Sequence, residues 1–125
     1  MKIRSHFDLR IWKEAHALTL EIYRLTDAFP VQERYGLVAQ MRRAASSVAA
    51  TIIEGTGRST TRDFIDYLFM ARGSTHEMMQ HIMLAKDLRY LRKDVAEIVI
   101  GRYKGLAAGI YACIMALQKR NSGPR

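Results

Sequence analysis

Apolar residues recur at helical spacing in four segments of the chain, and this periodicity constrains the fold more than any other feature. The first stripe is Ile11, Ala15, Leu18, Ile22, Leu25 and Phe29, and the second is Leu37, Met41, Ala45, Val48 and Ile52. The third is Phe64, Leu68, Ala71, Thr75, Met78, Ile82 and Ala85, and the fourth is Val99, Tyr103, Leu106, Ile110, Cys113 and Leu117. Steps of three and four keep such positions on one helix face. No segment alternates like a β-strand, so the sequence predicts an all-α protein.

Residues that disfavour a helical backbone follow the first two stripes. Phe29 precedes Pro30, and the residue before a proline is pushed out of the helical region. Gly55 and Gly57 follow the second stripe, as glycine commonly does after a helix. The first two predicted helices therefore end at these positions.

Helix-starting signals precede the last two stripes. Thr60 and Asp63 have the spacing of a capping box. Residues 89–93 break the third stripe, and Asp94 with Glu97 offers a fresh N-terminal cap. Four helices with short connections predict an antiparallel up-down-up-down four-helix bundle.

Length and composition indicate one globular domain. The chain has 125 residues, of which 49% are apolar, and this is enough for one sizeable core. We assign residues 1–120 to a single four-helix-bundle domain and residues 121–125 to a flexible C-terminal tail. Cys113 is the single cysteine, so no internal disulfide is expected.

The chain shows neither a secretory signal pattern nor a long uncharged run. Charges already occur within residues 1–10, and the longest uncharged stretch is Gly105–Gln118. That stretch is shorter than the roughly 20 residues that span a bilayer. We therefore expect a soluble, cytoplasmic protein without a membrane partner.

Several apolar side chains lie beside the main stripes, and they predict a self-association surface. The alternative is that the core-facing stripes are simply wide. Gly73 lies inside the third predicted helix at a cost of about 1 kcal/mol, which suggests that another element approaches there. The apolar residues in question are Trp12, Tyr23, Ile53, Ile65, Phe69, Met79, Met83, Ile98 and Ile114.

The charge balance is strongly basic. The formal net charge is +8, and arginine outnumbers lysine 14 to 6. Because the planar guanidinium suits both phosphates and carboxylates, the excess indicates either an anionic polymer partner or an ion-paired interface. The sign of the charge alone does not choose between them.

Patterns typical of enzymes are missing from the sequence. No Glu-x-x-His pair is present, as a di-iron bundle would need, and Glu77 with His81 supplies only two metal ligands. Gly55-Thr56-Gly57 lacks the lysine of a phosphate-binding loop. We therefore predict no catalytic residue, no metal site, no cofactor and no enzymatic activity.

Four motifs in order resemble a known family. They are the Phe-Pro turn, YGLxxQxRRAAxS from Tyr35, IxEGxGR ending at Arg58, and the segment from Phe64 to Glu77 that ends in AxGSxxE. Together they resemble the four-helix-bundle family of 23S rRNA intervening-sequence proteins, which is similar to the accessory variability proteins of diversity-generating retroelements. Two positions depart from the family pattern, where Thr51 replaces an Asn and Ile53 replaces an Ala.

The resemblance implies a cytoplasmic, non-enzymatic bundle that assembles as a ring, with a homopentamer as the expected form. It implies RNA or another nucleic acid as the partner. The retroelement branch adds a reverse transcriptase as an alternative protein partner.

The charged motif residues predict two structural ion pairs. If the second and third helices fold back on each other, Arg43 falls opposite Glu77, and Glu54 falls near Arg58 and Arg62. We predict an Arg43–Glu77 pair and a pairing of Glu54 with one of the two arginines, within a subunit or across the ring. The alternative is that Arg42 and Arg43 contact phosphate; for Arg42 both interpretations stay open.

The remaining cations form the predicted nucleic-acid contacts, although a merely solvated basic surface is the alternative. With no aromatic-rich motif in a basic loop, we expect phosphate binding with counterion release and little base readout. A rival hypothesis is a protein-interaction scaffold whose basic face docks an acidic partner. The candidate contacts are Arg42, Arg89, Arg92, Lys93, Arg102, Lys104, Lys119 and Arg120.

Overall fold

Four α-helices make up the fold, as the periodicity predicts. The structure, a computed structural model, describes residues 6–121, with side chains from residue 10 onward. The predicted tail, 121–125, lies almost wholly outside the described residues. Between α1 and α2 residues 31–33 form a single 3-10 turn, and no strand occurs in the described part of the chain. The helices are α1 (His6–Thr26), α2 (Leu37–Thr56), α3 (Thr61–Asp87) and α4 (Lys93–Asn121).

Side-chain contacts show that neighbouring helices run antiparallel. The Thr19 hydroxyl of α1 donates to the Ala45 carbonyl of α2 at 3.1 Å, while Arg42, earlier in α2, reaches Thr26, later in α1. In the same way Glu14 of α1 pairs with Arg102 of α4, while Ile11, earlier in α1, lies against Gly109, later in α4. Each helix lies beside two neighbours, α1 with α4 included, and among the described residues no Cα atoms of diagonally placed helices come within 8 Å of each other.

The four predicted stripes form the core. Every stripe residue is buried except Leu25, which is partly buried and packs against the others. Full burial of a large aliphatic or aromatic side chain contributes about 1.5–3 kcal/mol, so these stripes supply the main stabilisation. Tyr103 is the largest of the fully buried side chains, and its hydroxyl has no hydrogen-bond partner among the described residues.

The predicted cap of α3 is confirmed, and that of α4 is shifted. The Thr60 side chain accepts a hydrogen bond from the Asp63 backbone N–H at 3.1 Å. The fourth helix begins at Lys93, so Asp94 lies inside its first turn instead of capping it. There the Asp94 carboxylate accepts from the Val95 N–H at 2.9 Å, which suits the positive end of a helix.

The end of α3 depends on a left-handed residue. Arg89 has a φ of 66°, the conformation that glycine usually supplies after a helix. The Tyr90 N–H donates to the Ala85 carbonyl at 2.8 Å, and the Arg89 N–H donates to the Lys86 carbonyl at 2.9 Å. These two bonds form a Schellman motif that turns the chain sharply towards α4.

Two helical glycines have opposite surroundings. A methyl group at Gly55 would lie 2.8 Å from Phe64 Cδ1 and 2.9 Å from Tyr67 Cβ, so α3 packs directly on the α2 backbone there. A methyl group at Gly73 would meet nothing within 4 Å. No element among the described residues therefore approaches Gly73, and its approach by another subunit stays a prediction.

Some of the apolar residues beside the stripes widen the core-facing stripes, and others lie exposed on the surface. Ile65 and Ile114 are buried, as wide core-facing stripes require. Tyr23, Phe69, Met83 and Ile98 are exposed and leave apolar area on the surface. On α4 six of the exposed residues form an uncharged row, which we call the outer face of α4: Ile98, Gly101, Gly105, Ala108, Ala112 and Met115.

The uncharged outer face gives α4 an unusual composition. This helix alone, of those described, is long and apolar enough to cross a membrane by length and composition, with a mean hydropathy of 1.3 over its best window. In the fold 39% of that window is buried. A core helix passes the same test, because one face is apolar for packing against its neighbours.

Candidate nucleic-acid interface

The predicted contacts do not lie on one patch. Arg89, Arg92 and Lys93 lie where α3 connects to α4, whereas Lys119 and Arg120 lie in the last turn of α4. With a rise of about 1.5 Å per residue, these two groups are about 40 Å apart. Arg102 and Lys104 lie between them on α4. A single ligand therefore meets the whole predicted set only if it spans about 40 Å.

Four of the predicted contacts already have carboxylate partners, and Arg42, which pairs with Asp27, is one of them. Arg92 Nη2 lies 2.9 Å from Asp94 Oδ2, and Arg102 Nε lies 3.2 Å from Glu14 Oε1. Lys93 Nζ lies 4.0 Å from Glu97 Oε1. Exposed pairs of this kind contribute only about 0–1 kcal/mol, so a phosphate can replace the carboxylate at small cost. By contrast, Arg89, Lys104 and Arg120 form no ion pair with a described residue.

Arg42 joins α1 to α2. Its guanidinium donates to the Thr26 hydroxyl at 3.0 Å, to Asp27 Oδ1 at 3.0 Å and to the Tyr23 carbonyl at 3.2 Å. It also lies 4.6 Å from the centre of the Tyr23 ring, within cation–π range. Three of its five N–H donors are used within the chain, which favours the structural interpretation of Arg42, and the phosphate interpretation stays a prediction.

Neither predicted structural ion pair forms within the chain. Arg43 is exposed, and Glu77 Oε2 instead lies 3.0 Å from His81 Nε2, one turn along α3. Glu54 is exposed and forms no ion pair with a described residue, while the Arg62 side chain is also exposed and unpaired among these residues. The Arg58 guanidinium lies over the Tyr67 ring at 5.1 Å. The versions of these pairs across subunits stay predictions.

A hydrogen-bonded junction joins the two connections at one end of the bundle. The Tyr90 hydroxyl donates to Glu33 Oε2 at 2.9 Å, and this bond raises the pKa of Tyr90. Glu33 Oε1 accepts from the Leu37 N–H at 3.2 Å, so the same carboxylate caps α2. The rings of Phe29 and Tyr90 lie 5.4 Å apart. We call this end, residues 27–36 and 88–92, the loop end.

Sequence reasoning missed two exposed residues at the loop end. Arg34 is exposed and forms no ion pair with a described residue. Tyr35 beside it is 90% exposed. The available signal was the Arg-Tyr pair between two helical stripes, but the sequence alone gave no sign that this connection meets Tyr90 of the α3–α4 connection.

A groove of about 760 Å³ separates α1 from α4. Arg10, Lys13 and Arg102 line it together with the Glu14 carboxylate that pairs with Arg102. Gly105 and Gly109 are part of its lining. Three cations against one carboxylate make the groove a second basic surface, separate from the loop end.

Comparison with known proteins agrees with this fold. The sequence profile of the 23S rRNA-intervening sequence protein family matches residues 7–112. The chain belongs to that family. A crystal structure of a protein of unknown function from the S23 ribosomal protein family of Bacteroides thetaiotaomicron is similar, with a TM-score of 0.80 and 17% sequence identity. The match covers 87% of this chain and 98% of that one and shows a shared fold. No curated protein sequence matches this chain.

The motifs that carry the family resemblance serve packing in this member. Gly55, in the Glu-Gly motif, lets Phe64 and Tyr67 of α3 lie against α2. Arg42, in the Arg-Arg motif, holds the end of α1 through Thr26 and Asp27. Gly55 and Arg42 therefore explain part of the fold, whereas Tyr35, which opens the YGL motif of the same pattern, is exposed at the loop end.

Proposed function

We propose that this member of the 23S rRNA-intervening sequence protein family is a non-enzymatic, cytoplasmic protein that binds structured RNA through phosphate contacts. The observation that carries the proposal is the placement of unneutralised arginines. Arg34 and Arg89 are exposed at the loop end without a carboxylate partner among the described residues, in a chain of net charge +8. Each phosphate neutralised releases counterions, and this release drives association.

Self-assembly into a ring, with a homopentamer as the expected size, is part of the proposal. The exposed outer face of α4 and the exposed Phe69 and Met70 on α3 support it, because apolar area of this kind is typically covered by another chain. In a ring each basic surface is repeated around the axis. Weak contacts to one long RNA would then add by multivalency.

A protein-interaction scaffold is the second candidate, for example an accessory subunit of a reverse transcriptase. One specific observation favours it: the outer face of α4 carries no charge from Ile98 to Met115, about 25 Å along the helix. A face of this kind suits an apolar helix of a different protein as well as a second copy. RNA would then play no part in binding.

Gel filtration with light scattering, with and without RNA at two salt concentrations, separates these candidates. The proposal expects a discrete oligomer that shifts to higher mass with RNA at low salt and shifts less at high salt. An assembled protein that leaves RNA unbound at low salt would contradict RNA binding and favour the scaffold. A monomer at every concentration would contradict the ring.

A further inference from the structure

Tyr35 is the most exposed large hydrophobic side chain that the structure describes. It is 90% exposed, compared with 43% for Tyr23 and for Tyr111, each of which lies against an arginine of its own helix bundle. A side chain that buries so little area contributes almost nothing to folding. Its exposed ring is therefore available to a ligand.

The turn that carries Tyr35 is held in place from both sides. The Gly36 N–H donates to the Glu33 carbonyl at 3.1 Å, and the Gln40 N–H donates to the Gly36 carbonyl at 3.1 Å. The Glu33 carboxylate is in turn bonded to Tyr90 and to the Leu37 N–H. A ligand that stacks on Tyr35 therefore orders little additional backbone, which lowers the cost of binding.

Three arginines lie in the two connections that form the loop end. Arg34 precedes Tyr35 in the chain, and Arg89 precedes Tyr90, whose hydroxyl is bonded to the same turn. Arg92 lies two residues beyond Tyr90, and its side chain is 80% exposed, with a surface carboxylate as its single ion-pair partner among the described residues. An exposed aromatic ring among exposed arginines is the combination that binds unpaired nucleotides, since the ring stacks on a base while the cations bind the phosphates.

We infer that Tyr35 is a stacking platform for an unpaired RNA base, with Arg34 and Arg89 on the flanking phosphates. This inference rests on the proposed function and names its ligand: a single-stranded or looped segment of RNA. A continuous A-form duplex keeps its bases stacked inside, so it reaches the arginines but not the ring. Stacking tolerates every base, so the site discriminates RNA structure and not sequence.

Fluorescence anisotropy with two labelled RNAs tests the inference. The probes are a 12-nucleotide oligouridylate and a blunt 12-base-pair RNA duplex, each titrated with the full chain at low salt. The variants are Tyr35→Ala, Tyr35→Leu, which keeps an apolar side chain without a π face, and Tyr35→Trp, which keeps the stack. Arg62→Ala at the opposite end of the bundle is the matched control for a change at an exposed site, since Arg62 is exposed and unpaired among the described residues.

Tyr35→Ala and Tyr35→Leu are expected to weaken binding to the single strand about fivefold to a hundredfold, the range for one stacked base. Tyr35→Trp is expected to keep or raise that affinity, and no Tyr35 variant is expected to change duplex affinity. Equal single-strand affinities for wild type and Tyr35→Ala, with RNA still bound, would overturn the stacking site but leave the proposed function standing. Equal losses on both probes would also overturn it. Wild-type protein that binds neither probe would overturn both.

Discussion

Adding one methyl group at Gly55 should destabilise the protein, whereas the same change at Gly73 should stabilise it. Both glycines lie within helices, so alanine improves helix propensity at each by up to about 1 kcal/mol. The surroundings decide the difference. At Gly55 the new methyl would lie 2.8 Å from Phe64 Cδ1 and 2.9 Å from Tyr67 Cβ, and at Gly73 it would meet nothing within 4 Å.

The size of the effect follows from these distances. Carbon atoms pack best at about 3.5–4.0 Å, so Gly55→Ala needs a shift of most of an ångström at α3. Phe64 is fully buried, and Tyr67 Cβ is attached to the helix backbone, so neither atom moves freely. Overpacking of this kind costs about 1–3 kcal/mol. After the gain in propensity, we expect Gly55→Ala to lower the free energy of unfolding by about 1–2 kcal/mol.

Urea denaturation followed by circular dichroism measures both variants at one protein concentration. Gly73→Ala is expected to raise the free energy of unfolding by about 0.5–1 kcal/mol, which makes it the matched control for helix propensity. If Gly55→Ala were as stable as wild type, close packing of α3 on α2 would not be the reason for this glycine. If Gly73→Ala were less stable than wild type, some group would have to contact Gly73, which would contradict its placement facing solvent.

Three further predictions concern single side chains. Arg42→Ala should lower the free energy of unfolding by about 1–2 kcal/mol because it loses three hydrogen bonds, whereas Arg43→Ala should change it by less than about 0.5 kcal/mol. Chemical denaturation measures both variants. Equal effects would refute the structural role of Arg42. Tyr103→Phe should raise the free energy of unfolding by about 1 kcal/mol, since the buried hydroxyl has no partner among the described residues. Tyr90→Phe should lower the free energy of unfolding by a similar amount, because it loses the hydrogen bond to Glu33. Burial raises the pKa of Tyr103, so the neutral phenol of the folded protein gives a stability that is fully present below the unfolded pKa of about 10 and is lost as the pH rises above it. The free energy of unfolding should therefore fall less steeply with rising alkaline pH in Tyr103→Phe than in wild type. Identical pH dependences for the two proteins would contradict this. Arg89→Gly should raise the free energy of unfolding by about 0.5–1 kcal/mol, because Arg89 has the positive φ that glycine adopts without strain. The same variant should weaken RNA binding, because it loses the guanidinium. A less stable variant would show that the Arg89 side chain, and not its backbone, matters to the fold.

The core was predictable from the sequence because helical periodicity depends on each segment alone. Leu18, Met41 and Leu68 repeat at the spacing that one buried face requires, and no knowledge of neighbouring helices is needed to place them inside. The cap at Thr60 was predictable for the same reason, since its partner lies three residues away.

The charged contacts were not predictable, because they depend on how helices meet. Consecutive helical residues differ by about 100° around the axis, so Arg42 turns towards α1 while Arg43 turns to solvent. Relative to Met41 in the stripe, Arg42 lies about 100° around the helix and Arg43 about 200°, so periodicity places Arg43 on the outer face but does not show which groups of α1 meet Arg42. The Glu33–Tyr90 bond joins residues 57 positions apart, so the loop end could be recognised only in the fold.

The salt dependence of RNA binding tests the central claim most directly. The affinity of the wild-type protein for oligouridylate is measured over a series of salt concentrations and compared with that of an Arg34→Ala/Arg89→Ala double variant. We expect a linear fall of log affinity with log salt, with a slope that is smaller by about 1.4 in the double variant, since each single-strand phosphate contact contributes about 0.7. Binding that does not depend on salt, or identical slopes for the two proteins, would contradict RNA recognition by the arginines of the loop end.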